Sequence, residues 1–272
     1  QFDQEFGNTF FGTGDTLINA ETLLSLKAVP PNRMLEDNCL NIYEDTQKDH
    51  DYIMTVDVSK GRGQDYSTFN VIDISTRPFK QVAVYRNNLI SPILFPNIIY
   101  KYAKVYNDAY VVIEANDQGA VVCNGLYYDF EYENMHVSSA IKASGLGVEM
   151  NRKTKRLGCS AAKDILENKK LLVQDEQTIL EISTFVAKGQ SYEASDGNHD
   201  DLMMNLVLFG YFATSSYFGD MTNIDLKDML FKQRMKEIED DLVPFGFVDD
   251  GTSDIPQQEE GTPWAVEYMR DI

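Results

Sequence analysis

The sequence predicts an α/β fold in which a mixed β-sheet carries helices on both faces. Three runs rich in β-branched and aromatic residues follow one another between residues 52 and 86, as in an antiparallel meander. Later runs alternate between helical spacing and short, wholly apolar stretches, which is typical of strands buried on both faces. With 272 residues, the chain is long enough for one such core with extensions, since domains of about 100–200 residues are usual.

The three strands of the meander are predicted over residues 53–58, 68–74 and 81–86. A stretch containing Gly61 and Gly63 joins the first two as a loop longer than a two-residue hairpin turn. The later elements follow from apolar spacing, and Asn198, His199 and Asp200 favour the start of the last helix. These elements are a helix over 92–106, a buried strand over 109–113, helices over 119–128 and 161–168, a short strand over 171–173, and a helix over 201–212.

Composition divides the chain into three regions. Residues 1–50 contain Gly, Pro and Asn clusters around one apolar stretch, 17–29, which we expect to be a helix or an extended connector. Residues 51–220 hold the predicted sheet and its helices. Residues 221–272 begin with a predicted surface helix over 224–239 and then turn acidic, so we expect poor order there.

The net charge of −19 argues against nucleic-acid binding by the chain as a whole, because Lys and Arg supply most of the affinity for phosphates. The distribution of charge is uneven, however. Between residues 142 and 170, eight basic residues stand against three acidic ones. We interpret this segment as a ridge that contacts a polyanion backbone; a solvated loop over 152–156 is the alternative. The candidate DNA-binding residues are Arg152, Lys153, Lys155, Arg156 and Lys163.

Cysteine usage and hydropathy limit the class of protein. Cys39, Cys123 and Cys159 lie far apart without metal-ligand spacing, which indicates reduced thiols of an intracellular protein. No apolar run approaches the roughly 18 residues needed to cross a bilayer, so we expect no membrane partner. The first residue is Gln1, and we expect the chain to be a fragment of a longer polypeptide.

Three carboxylates stand at the ends of apolar runs: Asp57, Glu114 and Asp201. Residues in such positions can meet at one sheet edge, and hard oxygen ligands suit Mg²⁺ or Mn²⁺. Two such ions about 3.5–4 Å apart are the usual device for cleaving a phosphodiester. Each residue alone could simply cap a turn or a helix. Together they favour a metal site, because like charges buried near one another need a compensating cation.

Several neighbours are candidate auxiliary residues. Asp200 is a possible fourth ligand, and helical spacing gives it the more buried location of the Asp200–Asp201 pair, since Asp201 shares a face with Asn205. Asp65, in the Gly-rich loop, could act as an acid beside the site or merely form a turn. His199 could bind metal, shuttle a proton or cap the helix. No GxxxxGK[ST] loop or G-x-S-x-G elbow occurs, so neither ATP hydrolysis nor a serine-hydrolase mechanism is expected.

Four strings in order carry a family resemblance: TVDVSKGRGQDYSTFNVIDIS, VVIEANDQGAVVCNGLYYDFEYE, KRLGCSAAKDILENKKLLV and GNHDDLMMNLVLFGYF. Over roughly residues 52–213 the chain resembles the nuclease portion of the large terminase subunit of T-even-like tailed phages. The resemblance implies a ribonuclease H-like fold and a metal-dependent endonuclease that cuts concatemeric phage DNA when packaging starts and ends. By motif, the family's catalytic acids fall on Asp57, Glu114 and Asp201, and its hairpin Asp on Asp65.

The resemblance also implies the setting. Residues 1–50 would be the linker or the end of a missing ATPase motor domain, and the motor would work on the procapsid in the host cytoplasm, outside the mature virion. The implied partners are double-stranded DNA, the ATPase domain of the same full-length chain, the portal protein and the small terminase subunit. Lys60 stands where related members have an acid. Two alternatives stay open: a non-catalytic docking module with an aromatic tail (Phe245, Phe247, Trp264), and a junction-resolvase-like nuclease.

Overall fold

The computed structural model describes residues 15–137, 145–189 and 191–222. The predicted tail from residue 223 and the first 14 residues lie outside this range. Within it, one mixed sheet contains β1 (Arg33–Leu35), β2 (Leu40–Ile42), β3 (Tyr52–Asp57), β4 (Ser67–Asp73), β5 (Phe79–Asn87), β6 (Tyr110–Ile113) and β7 (Leu171–Leu172). A separate hairpin consists of β8 (Phe185–Lys188) and β9 (Ser191–Ala194).

The helices surround this sheet. They are α1 (Ala20–Ser25), α2 (Phe95–Val105), α3 (Gly119–Asn124) with a π-helical continuation (Gly125–Asp129), α4 (Arg152–Glu167), α5 (Glu176–Thr184), α6 (Asp201–Ala213) and α7 (Ser216–Thr222). Each predicted strand of the meander and each predicted helix up to residue 213 has a counterpart here. The predicted mixed α/β architecture is confirmed.

The strand order β1-β2-β5-β4-β3-β6, with β7 beside β5, explains how the site edge forms. β3, β4 and β5 are an antiparallel meander, whereas β6 pairs with β3 in parallel after the α2 crossover. Val56 lies opposite Ile113 in that register. The carboxyl ends of β3 and β6 therefore meet at the same sheet edge, one residue before Asp57 and Glu114.

Two apolar cores lie on the opposite faces of the sheet. Along β3, Ile53 faces the core formed with α4, α5 and α6, while Met54 and Val56 face the core formed with α2 and α3. All three side chains are fully buried. Continuous apolar strands are the expected consequence of a sheet covered on both faces.

The structure corrects several sequence-based boundaries. The basic segment is no loop: α4 starts at Arg152, nine residues before the predicted start, and the Asn151 side chain caps it by accepting from the N–H groups of Lys153 and Thr154. Helix α5, the β8–β9 hairpin and strands β1 and β2 were not predicted. The two strands lie in the region of residues 1–50, beyond the stretch 17–29 that was expected to be a helix or a connector and that contains α1. The domain boundaries at residues 50 and 220 stay predictions.

The thiols and the helices bear on two further expectations. Cys39, Cys123 and Cys159 are all free, and burial raises the pKa of Cys123 to about 12 and of Cys159 to about 11. Among the helices of the described residues, none combines the length and the apolar character that crossing a bilayer requires.

Helices α4 and α6 cross at two glycines. A Cβ added at Gly210 would lie 2.7 Å from both the backbone nitrogen of Ala162 and the backbone oxygen of Gly158. A Cβ at Gly158 would lie 2.5 Å from the backbone oxygen of Val207. The absence of side chains at the crossing therefore sets how closely α6, with Asp201 at its start, approaches α4.

We predict that Gly210→Ala lowers the free energy of unfolding by about 1–3 kcal/mol, because the added methyl group must displace backbone. Gly219→Ala is the matched control: Gly219 is also helical, nothing lies within 4 Å of its added Cβ, and alanine favours the helix by up to about 1 kcal/mol. Urea denaturation of both variants measures the difference. Equal stability of the two variants would show that the crossing tolerates a methyl group.

Candidate active site

Asp57 and Glu114 are brought together by strand pairing. Asp57 is the last residue of β3, and the backbone N–H of Glu114 donates to the carbonyl of Val56 at 3.0 Å. An isolated bridge to Val148 holds Glu114 from its other side. Gly119 packs closely here too, since a Cβ at that position would lie 1.7 Å from the backbone oxygen of Glu114. Both carboxylates are partly exposed at the sheet edge.

Asp201, the first residue of α6, reaches the same edge from a different element. Its backbone carbonyl accepts from the Thr68 hydroxyl at 3.2 Å and from the Asn205 side-chain amide at 3.1 Å. Thr68 lies opposite Asp57 in the β3–β4 register. This buried polar group fixes the start of α6 beside the end of β3.

The two neighbouring aspartates have different surroundings. Asp201 is 8 % exposed, whereas Asp200 is more open and its Oδ2 accepts from the backbone N–H of Ala194 at 3.2 Å. The spacing-based expectation that Asp200 is the more buried is wrong. Asp200 precedes the helix, so helical spacing does not describe it, and Asn205, which shares a face with Asp201, is itself fully buried.

Burial and mutual repulsion dominate the electrostatics of the three acids. Burial, then the nearby charges of Glu114 and Asp201, raises the pKa of Asp57 well above its ordinary value. Burial raises the pKa of Glu114 to about 7 against the opposing effect of the Lys155 ammonium. Burial likewise raises the pKa of Asp201 to about 7, although the nearby backbone N–H of Tyr66 acts to lower it. Each acid is therefore costly to ionise unless a cation compensates it.

A cleft of about 520 Å³ opens onto Asp57 and Asp201, whereas Glu114 does not line it. It is lined by Asp57, Asp200, Asp201, Asp65 and His199, so most of the predicted cluster shares one concavity. The His199 Nδ1 lies 3.7 Å from Asp201 Oδ2, which is beyond hydrogen-bond distance. Lys60 and two residues that the sequence analysis did not identify, Asp117 and Gln118, also line the cleft.

The donor set suits a hard divalent cation. Asp201 Oδ2 is buried and accepts no hydrogen bond in the described structure, and an orphaned carboxylate oxygen among other carboxylates is a ready ligand. Within residues 15–137, 145–189 and 191–222, no three His, Cys, Asp or Glu side chains already converge as an ion-binding group. Joint ligation by the three acids therefore requires side-chain rotation.

The basic residues form a second, larger cleft of about 710 Å³ between α4 and the β8–β9 hairpin. Four of the five predicted DNA-binding residues line it, together with Lys188 of the hairpin: Arg152, Lys155, Arg156 and Lys163. Lys153 does not line it. The Lys155 ammonium acts to lower the pKa of Glu114. The basic cleft and the acidic site are therefore neighbours.

Comparison with known proteins adds a family and a fold. A family model, the terminase RNaseH-like domain, matches residues 54–209. The large terminase nuclease from thermophilic phage G20c with bound magnesium is 22% identical, with a TM-score of 0.58, over 74% of this chain and 98% of that chain. Its cobalt-bound form gives the same values.

The nuclease domain of the Thermus phage P74-26 large terminase is 24% identical, with a TM-score of 0.54, over 69% of this chain and 90% of that chain. These likenesses concern the fold, and they confirm the predicted ribonuclease H-like architecture. The closer T-even-like affiliation stays a prediction. Since the family model spans more than half of the sequence and contains all three carboxylates, this chain belongs to the terminase RNaseH-like domain family.

Proposed function

We propose that this chain is a metal-dependent endodeoxyribonuclease that cuts concatemeric double-stranded phage DNA at the start and the end of genome packaging. The observation that carries the proposal is the meeting of Asp57, Glu114 and Asp201 at one sheet edge. In the described structure the Asp201 Oδ2 atom there is buried and accepts no hydrogen bond. Related nucleases of the same fold have been solved with bound magnesium and cobalt.

The three acids would hold Mg²⁺ or Mn²⁺, which we propose to be two ions, with Asp200 as a further candidate ligand. Bound there, the ions would supply an activated water and neutralise charge that develops on the phosphate. The chain itself supplies carboxylates whose backbones are held by β3, by the end of β6 and by the start of α6. Asp65 and His199 also line the cleft, and we propose that they hold or move a proton near the substrate.

The basic cleft fits the substrate's backbone. One of its cations, Lys155, acts on Glu114. Two others have acidic neighbours: Lys188 pairs with Glu193 at 3.2 Å, and Lys163 lies 3.7 Å from Glu167. Contacts of this kind read phosphates and carry no base sequence. We therefore propose cleavage with little sequence specificity.

Incubation of the chain with supercoiled plasmid tests the function. We expect nicked and linear products with Mg²⁺ or Mn²⁺ and none with EDTA. Binding to plasmid without cleavage in either metal would instead support the docking-module alternative. Cleavage confined to branched DNA would support the junction-resolvase alternative.

We predict that Arg156→Glu weakens DNA binding at about 100 mM salt by roughly tenfold and flattens the salt dependence by about one phosphate contact. Lys153→Glu, on the same helix with the same charge change but outside the cleft, is the matched control and should have a smaller effect. Fluorescence anisotropy with a labelled duplex measures both. If both variants weakened DNA binding equally, the basic cleft would contribute no more to binding than general surface charge does.

The wider setting is proposed from the family. The nuclease would act beside an ATPase domain of the same full-length polypeptide, on a procapsid in the host cytoplasm, with the portal protein and the small terminase subunit as partners. The predicted aromatic contacts Phe245, Phe247 and Trp264 lie outside the described residues.

A further inference from the structure

Helix α6 is capped from another helix. Glu181, in the middle of α5, is 4 % exposed, and its Oε2 accepts from the backbone N–H groups of Leu202 at 2.6 Å and Met203 at 3.1 Å. Asp200, at the usual capping position, makes no side-chain hydrogen bond to the helix. Glu181 thus takes the place of the N-cap directly behind Asp201.

The second oxygen of Glu181 faces a cation. Glu181 Oε1 lies 3.8 Å from Arg86 Nε, and both atoms are buried without a hydrogen-bond partner in the described structure. The Arg86 guanidinium stacks 3.3 Å over the ring of Tyr66. Stacking on Tyr66 and attraction to Glu181 together hold Arg86 in one place.

Arg86 also acts on Asp201. Its charge lowers the pKa of Asp201 as well as that of Glu181, while burial raises both. Tyr66, on which the guanidinium stacks, also lies near the site, because its backbone N–H lowers the pKa of Asp201. In the described part of the chain, Asp201 Oδ2 nevertheless accepts no hydrogen bond. In the β4–β5 register Arg86 lies opposite Thr68, whose hydroxyl donates to the Asp201 carbonyl, so Arg86 is near both Glu181 and Asp201.

We propose that Glu181 is a positioning residue that keeps Arg86 from pairing with Asp201, so that Asp201 Oδ2 stays available to a divalent cation. An Arg–carboxylate pair with two parallel hydrogen bonds is strong and geometrically specific. Without the charge of Glu181, Arg86 would gain by turning to Asp201, and it would then compete with the cation. The inference rests on the metal site of the proposed function.

Glu181→Gln tests the idea, because glutamine keeps the shape and an acceptor oxygen for the cap and removes only the charge. We expect Mn²⁺ binding, followed by electron paramagnetic resonance of free Mn²⁺, to weaken about tenfold, which corresponds to ~1.4 kcal/mol. The double variant Glu181→Gln/Arg86→Gln should bind Mn²⁺ more tightly than Glu181→Gln, because the competitor is gone. A residue that only caps α6 would show no such rescue.

Two further variants complete the test. Glu176→Gln removes a charge from the exposed side of the same helix and should leave Mn²⁺ binding unchanged. Glu181→Asp keeps the charge and should bind Mn²⁺ with an affinity within threefold of wild type. This variant also tests the proposal if Glu181→Gln does not fold. Wild-type binding by Glu181→Gln, a double variant no tighter than the single one, or a tenfold loss in Glu181→Asp overturns the proposal. Failure of wild type itself to bind Mn²⁺ would instead refute the proposed metal site.

Discussion

Replacing Asp57 with Asn is expected to abolish plasmid nicking, with a loss of at least about 10³-fold. The charges of Glu114 and Asp201 both act on Asp57, so Asp57 is expected to contact any cation that the other two acids hold. A cation polarising a phosphate is worth several kcal/mol, and ~4 kcal/mol corresponds to about 10³-fold in rate. Conversion of supercoiled plasmid at saturating Mg²⁺ measures the loss.

The control for this substitution is Asp108→Asn. Asp108 is exposed, pairs with Lys104 and precedes β6 at the opposite end from Glu114, so the same loss of charge there should leave nicking unchanged. Circular dichroism must show that both variants are folded. Nicking by folded Asp57→Asn within tenfold of wild type would exclude Asp57 from the site.

The same assay separates the two neighbouring aspartates. The nicking rate of Asp201→Asn should fall nearly as far as that of Asp57→Asn, because Asp201 carries the buried oxygen that accepts no hydrogen bond in the described structure. Asp200→Asn should lose less nicking activity, since the Asp200 carboxylate already accepts a hydrogen bond from the backbone N–H of Ala194. A larger loss in Asp200→Asn would transfer the ligand role to that residue.

The parts of the fold that the sequence predicted are those whose burial is complete. Strands β3 and β6 are continuous apolar runs because both of their faces are covered, and each ends at its carboxylate. A change from apolar to acidic at a strand end is visible in sequence. The convergence of Asp57 and Glu114 then required only that β3 and β6 be parallel neighbours, as the α2 crossover makes them.

The parts that escaped prediction have weaker local signals. Helix α5 is nine residues long and rich in Thr, Ser and Ile, which are moderate helix formers. The buried stripe of α4 begins with Thr154, Gly158 and Cys159, small side chains that do not stand out as an apolar face. Glu181 and Arg86 were missed for a different reason: a single charged residue inside an element gives no sign that it is buried against another element.

The acid cluster should make the metal-free protein less stable as pH rises. Asp201 and Glu114 have pKa values of about 7 in the folded chain and about 4 when unfolded. Between these limits the folded state retains protons that the unfolded state has released, so the free energy of unfolding falls as pH increases. Melting in EDTA should therefore show a lower thermal midpoint at pH 8 than at pH 5.5. The free energy of unfolding should be lower at pH 8 by about 1–3 kcal/mol.

Asp201→Asn isolates the cluster from other titrating groups, such as Glu181, whose pKa burial also raises to about 7. This variant should melt higher than wild type at pH 8 in EDTA and lose part of the pH dependence. Mn²⁺ should stabilise wild type at pH 8 far more than at pH 5.5, because protons occupy the carboxylates at the lower pH. Equal Mn²⁺ stabilisation at both pH values, or in Asp201→Asn, would place the ion elsewhere. An acid cluster that destabilises the metal-free fold needs a cation to offset the repulsion between its charges. The gain in stability on Mn²⁺ binding therefore measures how strongly the folded site binds the ion.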